Sequence, residues 1–208
     1  MTILPRITNQ SHGKVQSTSI TVSHISDGLP LYVFTGAWQR DFTTVTFNGV
    51  GLTLLGQDAT NNLRTMVWRL LTPGIVTANI VASHGGAAEG LALAGMNIGG
   101  VTAEGTPVSA KGSTNSPTVT VPSDVDSIVV GNLVYHSSNY HAPKMTPPNF
   151  QLQSFLVVND VNVKIDASFR NGVASTDLGW DSTVVKEWAM IALSLKGTPA
   201  SGGAYASA

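Results

Sequence analysis

The amino-acid sequence predicts an all-β protein, an antiparallel β-sandwich of jelly-roll type with about eleven strands. Two observations lead to this prediction. Short runs of alternating apolar and polar residues recur along the chain, and residues that favour turns, chiefly Gly, Pro, Asn and Asp, separate these runs at roughly ten-residue intervals. A chain of 208 residues can bury roughly 70% of its unfolded surface. Its core therefore requires no cross-link, and the sequence contains no cysteine.

The clearest single element is a β-hairpin over residues 44–54, centred on Asn48 and Gly49. A two-residue type I′ turn requires positive φ at both central positions, which Asn tolerates and Gly adopts without steric cost. Val45 and Phe47 share one face of the strand before the turn. After the turn the period of two continues through Val50, Leu52 and Leu54.

Further strands are predicted from alternation or from short apolar runs. Residues 87–96 and 184–196 would also suit a helix. Flanking glycines favour a strand or mixed structure for the first run, and the second lacks an N-cap with a capping box, so we predict a buried strand there. Besides the hairpin, the predicted strands cover residues 15–24, 31–35, 63–71, 75–82, 91–98, 118–121, 127–135, 151–158, 163–169 and 184–196.

We predict a single β-sandwich domain over residues 15–196. Residues 1–14 contain Pro5 and a Ser-His-Gly cluster with little periodicity, which indicates an N-terminal arm. The Gly/Ala/Ser-rich residues 197–208 are predicted to be a C-terminal tail. Residues 101–117 would be the linker of a two-domain chain. We prefer one domain because the strands after this connection look like partners for those before it.

The composition argues against several classes of partner. Charged residues make up 11% of the chain, against roughly 25% in typical soluble domains. The net charge is −1 and the basic residues are scattered, so no basic stripe indicates direct binding of nucleic acid. The apolar runs are too short for a membrane span of about 20 residues. The first fourteen residues lack the apolar region of a secretory signal.

No pattern in the sequence predicts a metal site, a cofactor site or a catalytic centre. The five histidines show no ligand spacing. Asp124, Asp126 and the acidic and amide residues at 159–162 offer oxygen ligands for Ca²⁺, but such residues also stabilise turns without an ion. No carboxylate pair is selected for glycoside hydrolysis, and no nucleophile elbow is present. We therefore predict a protein that is not an enzyme and has no cofactor or metal.

Aromatic residues outside the predicted strands are the candidate ligand or interface residues. Such side chains stack on sugar rings while neighbouring Asn and Asp make polar contacts. They also close the ends of a sandwich core or anchor a protein interface. The candidates are Trp38, Tyr140, Phe150 and Trp180.

Five segments of the chain combine packing and turn signatures. They are residues 45–54 (VTFNGVGLTL), 66–71 (MVWRLL) with Pro73 and Gly74, 99–101 (GGV), 127–131 (SIVVG) and 188–193 (WAMIAL). Together they resemble a β-sandwich module that recurs in phage virion structural proteins and in large bacterial surface proteins. The resemblance spans residues 17–196.

The resemblance implies a structural or adhesive role, and the missing secretion signal favours a virion over a cell surface. We therefore expect a capsid or capsid-decoration protein of a bacteriophage that associates with itself and with other virion proteins. The alternative is a carbohydrate-binding or host-adhesion module of a tail or surface appendage, whose partner would be a host surface glycan. A glycan-active enzyme is a third and more remote hypothesis.

Overall fold

The computed structural model describes residues 5–87, 89–136, 144–145, 154–157, 163–181 and 187–197. These residues form eighteen strands and no helix, and every pairing between strands is antiparallel. The predicted all-β, antiparallel class is confirmed, whereas the jelly-roll topology and the count of about eleven strands stay predictions. Within this part of the chain there is accordingly no helix long and apolar enough to cross a membrane.

Residues 6–99 build two sheets. Sheet I has the strand order β2-β8-β4-β5, and sheet II has the order β1-β9-β3-β7-β6. The strands are β1 (Arg6–Ser17), β2 (Ser19–Asp27), β3 (Leu31–Trp38), β4 (Thr44–Phe47), β5 (Val50–Gly51), β6 (Thr53–Ala59), β7 (Leu63–Leu70), β8 (Ile75–Ser83) and β9 (Glu89–Gly99).

Residues 103–196 build two further sheets. Sheet III has the order β10-β18-β13-β16-β15, with β11 also paired to β18, and sheet IV has the order β12-β17-β14. The strands are β10 (Ala103–Glu104), β11 (Val108–Gly112), β12 (Thr118–Pro122), β13 (Ser127–His136), β14 (Lys144–Met145), β15 (Ser154–Val157), β16 (Val163–Asn171), β17 (Ser175–Asp181) and β18 (Trp188–Lys196).

The four sheets stack as layers in the order I, II, III, IV. Three apolar clusters fill the spaces between successive sheets, and the inner strands β3, β7, β9, β13 and β18 contribute alternate residues to their two faces. In β3, for example, Tyr32 and Phe34 pack towards sheet III, whereas Leu31 and Val33 pack towards sheet I. Because both faces of the two inner sheets are buried, their strands are more apolar than those of the outer sheets.

The two halves of the chain repeat one strand order. The order β1-β9-β3-β7-β6 of sheet II matches β11-β18-β13-β16-β15 of sheet III, and β2-β8-β4 of sheet I matches β12-β17-β14 of sheet IV. The contacts between the halves are reciprocal: β9 packs on β16 as β18 packs on β7, and β3 packs on β16 as β13 packs on β7. An approximate twofold axis therefore relates the two halves, and it passes where β3 and β13 cross.

Close backbone approach and polar bonds hold the two inner sheets together. Gly36 of β3 lies against Val134 of β13, so closely that a Cβ on Gly36 would lie 2.8 Å from a Val134 methyl group. Beside this contact the Thr65 hydroxyl donates to Asn132 Oδ1 at 3.1 Å. The strands of the two halves thus meet face to face, and in the described part of the chain the backbone hydrogen bonds of the sheets join only strands of the same half.

The hairpin prediction is confirmed at its turn and is wrong in part beyond it. Asn48 and Gly49 have φ values of 50° and 77°, and Val45 and Phe47 are buried. Leu52 packs against the core between sheets I and II. However, β4 pairs with β5 only at Thr46–Gly51 and Phe47–Val50, and from Thr53 onwards the chain belongs to β6, which pairs with β7 in sheet II.

Three other expectations need correction. Residues 6–14 are not an arm, because they belong to β1, which pairs with β9 along its length. The connection at 101–117 contains β10 and β11. Strand β17 was not predicted at all. The two runs at 87–96 and 184–196, which suited either a helix or a strand, contain the strands β9 and β18. Residues 182–186 and the predicted tail at 198–208 lie outside the described residues.

Candidate functional site

The four predicted aromatic residues are not gathered on one surface by the part of the chain that is described. Trp38 is the last residue of β3 and packs, half-buried, against the core between sheets II and III. Trp180 lies in β17 rather than in a loop and is fully buried between sheets III and IV. Tyr140 and Phe150 lie outside the described residues. Trp180 is therefore a core residue and offers no exposed face to a sugar.

Trp180 provides a hydrogen-bond partner for the buried carboxylate of Asp166. Its indole Nε1 donates to Asp166 Oδ2 at 2.9 Å, and Asp166 is 1% exposed. Burial, with a further contribution from the charge of Asp166, raises the pKa of Tyr135. The Tyr135 hydroxyl and Trp188 Nε1 are also buried and make no hydrogen bond with any of the described residues. These polar groups lie within the core between sheets III and IV, so they are not arranged to meet a ligand from solution.

A buried Ser-His-Asn array lies between sheets I and II, and no pattern in the sequence predicted it. Ser11 Oγ lies 2.9 Å from His24 Nδ1, and His24 Nε2 lies 2.8 Å from Asn97 Oδ1. Because Asn97 Nδ2 donates to the Leu29 carbonyl at 2.6 Å, its Oδ1 accepts from a protonated Nε2. Nδ1 of the neutral ring then accepts a hydrogen bond from the Ser11 hydroxyl. Burial lowers the pKa of His24, although Asn97 and the charge of Asp27 act in the opposite direction.

This array has the residue types of a nucleophile and its base, but its surroundings indicate a structural role. His24 is 1% exposed, and its ring packs edge-on against Phe47 at a centroid distance of 5.8 Å. A substrate would reach Nδ1 only if sheets I and II separated. The array instead pairs polar groups of β1, β2 and β9 within an apolar layer, where unpaired groups would be costly.

A second polar cluster connects the halves. Glu104 of β10 accepts a hydrogen bond from the Tyr32 hydroxyl at 2.5 Å and forms an ion pair with Arg69. Tyr32 is fully buried, and the Arg69 and Glu104 side chains are 23% and 19% exposed. Burial and the contact with Glu104 raise the pKa of Tyr32. The cluster fastens the connection between the halves to sheet II.

A shallow depression of about 330 Å³ lies beside this cluster. Glu104, Asp124 and Lys196 line it together with small residues such as Gly105 and Ser194. Lys196 Nζ already pairs with Asp124 Oδ2 at 2.7 Å, and Glu104 is held by Arg69 and Tyr32. No aromatic ring lines the depression, so it lacks the stacking surface that sugar binding uses.

The candidate calcium ligands do not converge in the described residues. Asp124 is engaged by Lys196, and its backbone N–H lies 3.1 Å from Ser127 Oγ in a turn. Residues 159–162 lie outside the described residues. Across the described ranges, no group of three or more His, Asp or Glu side chains is placed to hold a metal ion.

The outer face of sheet I is the surface with the most unusual chemistry. This sheet I face consists of alternate residues of β2 from Thr21 to Asp27 and of β8 from Ile75 to Val81, with Thr44 and Thr46 of β4. It is built from Thr, Ser, Asn and aliphatic side chains. The four strands of the sheet carry one charged residue, Asp27.

Two exposed isoleucines lie on the sheet I face. Ile25 is 63% exposed and Ile75 is 84% exposed. The register pairs Ile25 with Thr77 and Asp27 with Ile75, so the two isoleucines are diagonal neighbours on adjacent strands. The exposed side chains Val50 and Leu54 are not part of this face, because their strand partners Phe47 and Trp68 point into the core between sheets I and II.

The strands of the equivalent outer sheet in the second half differ in composition. Sheet IV occupies the same place in its half as sheet I does in the first. Its strands are shorter, yet their sequences contain three charged residues, Lys144, Asp177 and Asp181. Of these, Asp177 has a described and exposed side chain. The strand sequences of sheet IV are therefore richer in charged residues than those of sheet I.

A sequence signal for this face was available. Residues 15–26, 42–57 and 70–88 contain no Asp, Glu, Lys or Arg, and these three stretches supply nearly all of sheet I. In the sequence these stretches indicate only that the chain as a whole is poor in charge. That they belong to one sheet depends on strand pairings between distant residues.

Comparisons with known proteins give no further assignment. No protein-family model matches the chain, and neither a curated protein nor a solved structure matches it.

Proposed function

We propose that this chain is a non-enzymatic structural protein of a phage virion, a capsid or capsid-decoration component that packs against copies of itself or against other virion proteins. The observation that carries the packing role is the sheet I face, which is broad, exposed and almost free of charge. Interface cores are depleted of charged residues relative to the rest of a protein surface. The assignment to a virion rests on the resemblance of residues 17–196 to phage structural modules.

The arrangement of strands supports the same proposal. Under this proposal each half is a jelly roll, a fold that is frequent in viral capsids. Strands β1 to β4 and β7 to β9 alternate between sheets II and I along the chain, and β11 to β14 and β16 to β18 alternate between sheets III and IV in the same way. A stack of four sheets with an apolar cluster between each successive pair suits a structural role.

The test is the location and copy number of the protein. Particles from a phage that encodes the chain are purified on a density gradient, and the protein is quantified against the major capsid protein by mass spectrometry. We expect it to sediment with intact particles in many copies. A protein that stays in the soluble fraction of the lysate would contradict the proposal.

The adhesion hypothesis predicts a different outcome of the same fractionation. A host-binding module of a tail would be present in a few copies per particle. It would also bind immobilised host glycans, and Trp38→Ala or Tyr140→Ala would weaken that binding. The Trp180→Ala variant serves as a comparison, because Trp180 is buried and its loss is expected to lower stability without acting on a sugar directly.

A further inference from the structure

We propose that the sheet I face is the surface through which two copies of this chain associate, with sheet I of one copy packed on sheet I of the other. This inference rests on the proposed structural function and names the surface that carries it. The occupant is a second copy of the chain rather than a ligand.

The first argument is charge. Two identical faces that meet in a twofold contact bury each of their charges twice, and a charge near the axis lies beside its own copy, where like charges oppose association. The sheet I face avoids this repulsion because Asp27 is its only charged residue, and it lies at one end of the face. Asp27 is partly buried, and its Oδ1 accepts a hydrogen bond from the Leu29 N–H at 3.2 Å.

The second argument is the contrast within the molecule. The strand sequences of the pseudo-equivalent outer sheet, sheet IV, contain three charged residues in fourteen positions, against one in twenty-four for sheet I. Charged residues on a protein surface disfavour unwanted association. Sheet I has few of them, and Ile25 and Ile75 are exposed on it. Exposed aliphatic side chains inside an uncharged, polar surface are typical of an interaction surface.

The third argument is area. Strands β2 and β8 have nine residues each, whereas β4 has four and β5 has two. At about 3.3 Å per residue and about 4.8 Å between strands, two such faces would bury on the order of 800 Å² in total. This area is below the roughly 1,000 Å² of a typical specific interface, so we expect a weak dimer that is populated at the upper end of the concentration range tested.

Face-to-face packing of two sheets about a twofold axis already occurs within the chain. Sheets II and III already pack face to face about an approximate twofold axis. Contact between two sheet I faces would add a second axis of the same kind, with the sheets about 10 Å apart. Because the contact is weak, it would order molecules best where many copies are held side by side, as in a particle.

The experiment measures the association of the purified full-length chain by sedimentation velocity at micromolar to submillimolar concentrations. Lysine is introduced at Thr77, which is exposed and lies beside Ile25. The matched control is Thr118→Lys, an exposed threonine on β12 of sheet IV. A second pair compares Ile25→Lys with Val125→Lys, whose side chains are 63% and 71% exposed.

We expect the wild-type chain to dimerise and both sheet I variants to weaken the dimer at least tenfold, while Thr118→Lys and Val125→Lys leave it unchanged. Circular dichroism and thermal melting verify that each variant is folded. A wild-type chain that remains monomeric overturns the inference, and so does a dimer that tolerates Thr77→Lys and Ile25→Lys. Binding of a different virion protein to this face by a monomeric chain also overturns it.

The outcomes separate this inference from the proposed function. If the protein is abundant in particles but the sheet I variants dimerise normally, the structural role stands and another surface is responsible. If the chain dimerises through sheet I but is absent from particles, the surface is identified correctly and the virion role fails.

Discussion

At the scale of single residues, Gly49 tests the register of the hairpin. Its φ is +77°, and no atom lies within 4 Å of a Cβ placed there, so a substitution acts through the backbone alone. We expect Gly49→Val to lower the free energy of unfolding by about 1 kcal/mol or more, because a β-branched residue resists positive φ. Urea unfolding measures the change.

The control for this substitution is two residues away. Gly51 also has open space around its Cβ but does not have positive φ, and it lies in β5. Gly51→Val is expected to be neutral or slightly stabilising, since valine favours a strand. Equal destabilisation by the two variants would show that the turn geometry is not what Gly49 provides.

His24 predicts a dependence of stability on pH. Its pKa in the folded protein is lowered from 6.5, chiefly by burial. At pH values between the folded pKa and 6.5, the unfolded chain therefore binds a proton on His24 more readily than the folded chain does. The stabilising contribution of neutral His24 is complete only above about pH 6.5. It decreases as the pH falls towards the folded pKa. We expect a smaller free energy of unfolding at pH 5.5 than at pH 7.5.

Two variants assign this effect to His24. His24→Gln removes the titrating group, and although it lowers stability at both pH values, the difference between them should become smaller. His12 lies on β1 and is exposed, so His12→Gln should leave the difference unchanged. If both variants keep the wild-type pH dependence, other groups cause it.

Residue-level features were predictable where the local sequence determines them. Asn48 and Gly49 specify their turn by conformational preference alone, and the turn is formed as predicted. Trp180 was misplaced because the segment 175–181 contains Asp, Ser and Gly, which suggested a loop. Its alternation of Thr176, Leu178 and Trp180, all buried, was the signal for a strand. The Ser11–His24–Asn97 array joins residues far apart in the sequence, so no local pattern could indicate it.

At the scale of elements, β1 shows the limit of reading strands from hydrophobic alternation. Its sequence RITNQSHGKVQS has few apolar residues, which suggested an arm. The strand lies at the edge of sheet II, yet it pairs with β9 from Arg6 to Ser17. Backbone hydrogen bonds and the Ser11–His24 contact hold it, and neither depends on an apolar pattern.

Deletion of residues 1–17 tests the role of this strand. It would remove the partner of one edge of β9 and the hydroxyl that bonds His24. We expect the truncated chain to be insoluble or to unfold without a cooperative transition, as measured by soluble yield and thermal melting. Addition of a synthetic peptide of residues 5–17 should restore part of the stability by re-forming the pairing. A truncated chain that melts like the full-length chain would show that β1 is dispensable.

At the scale of the whole molecule, the sequence predicted the class of fold but not its duplication. Turn spacing and alternation were sufficient for antiparallel sheets. The two halves repeat an order of strands rather than a sequence, and strand order arises from pairings between residues distant in the chain. The single-domain prediction assumed that strands of the two halves would pair, whereas those described meet through the faces of sheets II and III.

This packing predicts how the first half behaves alone. A fragment of residues 1–100 would expose the face of sheet II that sheet III covers, with eight side chains that are otherwise buried: Tyr32, Phe34, Leu63, Val67, Ala92, Ala94, Met96 and Ile98. Burial of such side chains contributes on the order of 10 kcal/mol in sum. We expect the fragment to aggregate or to form a homodimer in which a second sheet II takes the place of sheet III.

The fragment carries Thr77→Lys in this experiment, so that association through the sheet I face does not contribute. Sedimentation velocity reports its state, and co-expression with residues 101–208 provides the control, because the natural partner sheet should convert it into a soluble complex of one copy of each half. The approximate twofold axis makes the homodimer plausible, since β9 of one fragment would meet β7 of the other as β9 and β16 meet in the full-length chain. A soluble, folded monomer of residues 1–100 would contradict the view that the two halves form one body through their inner sheets.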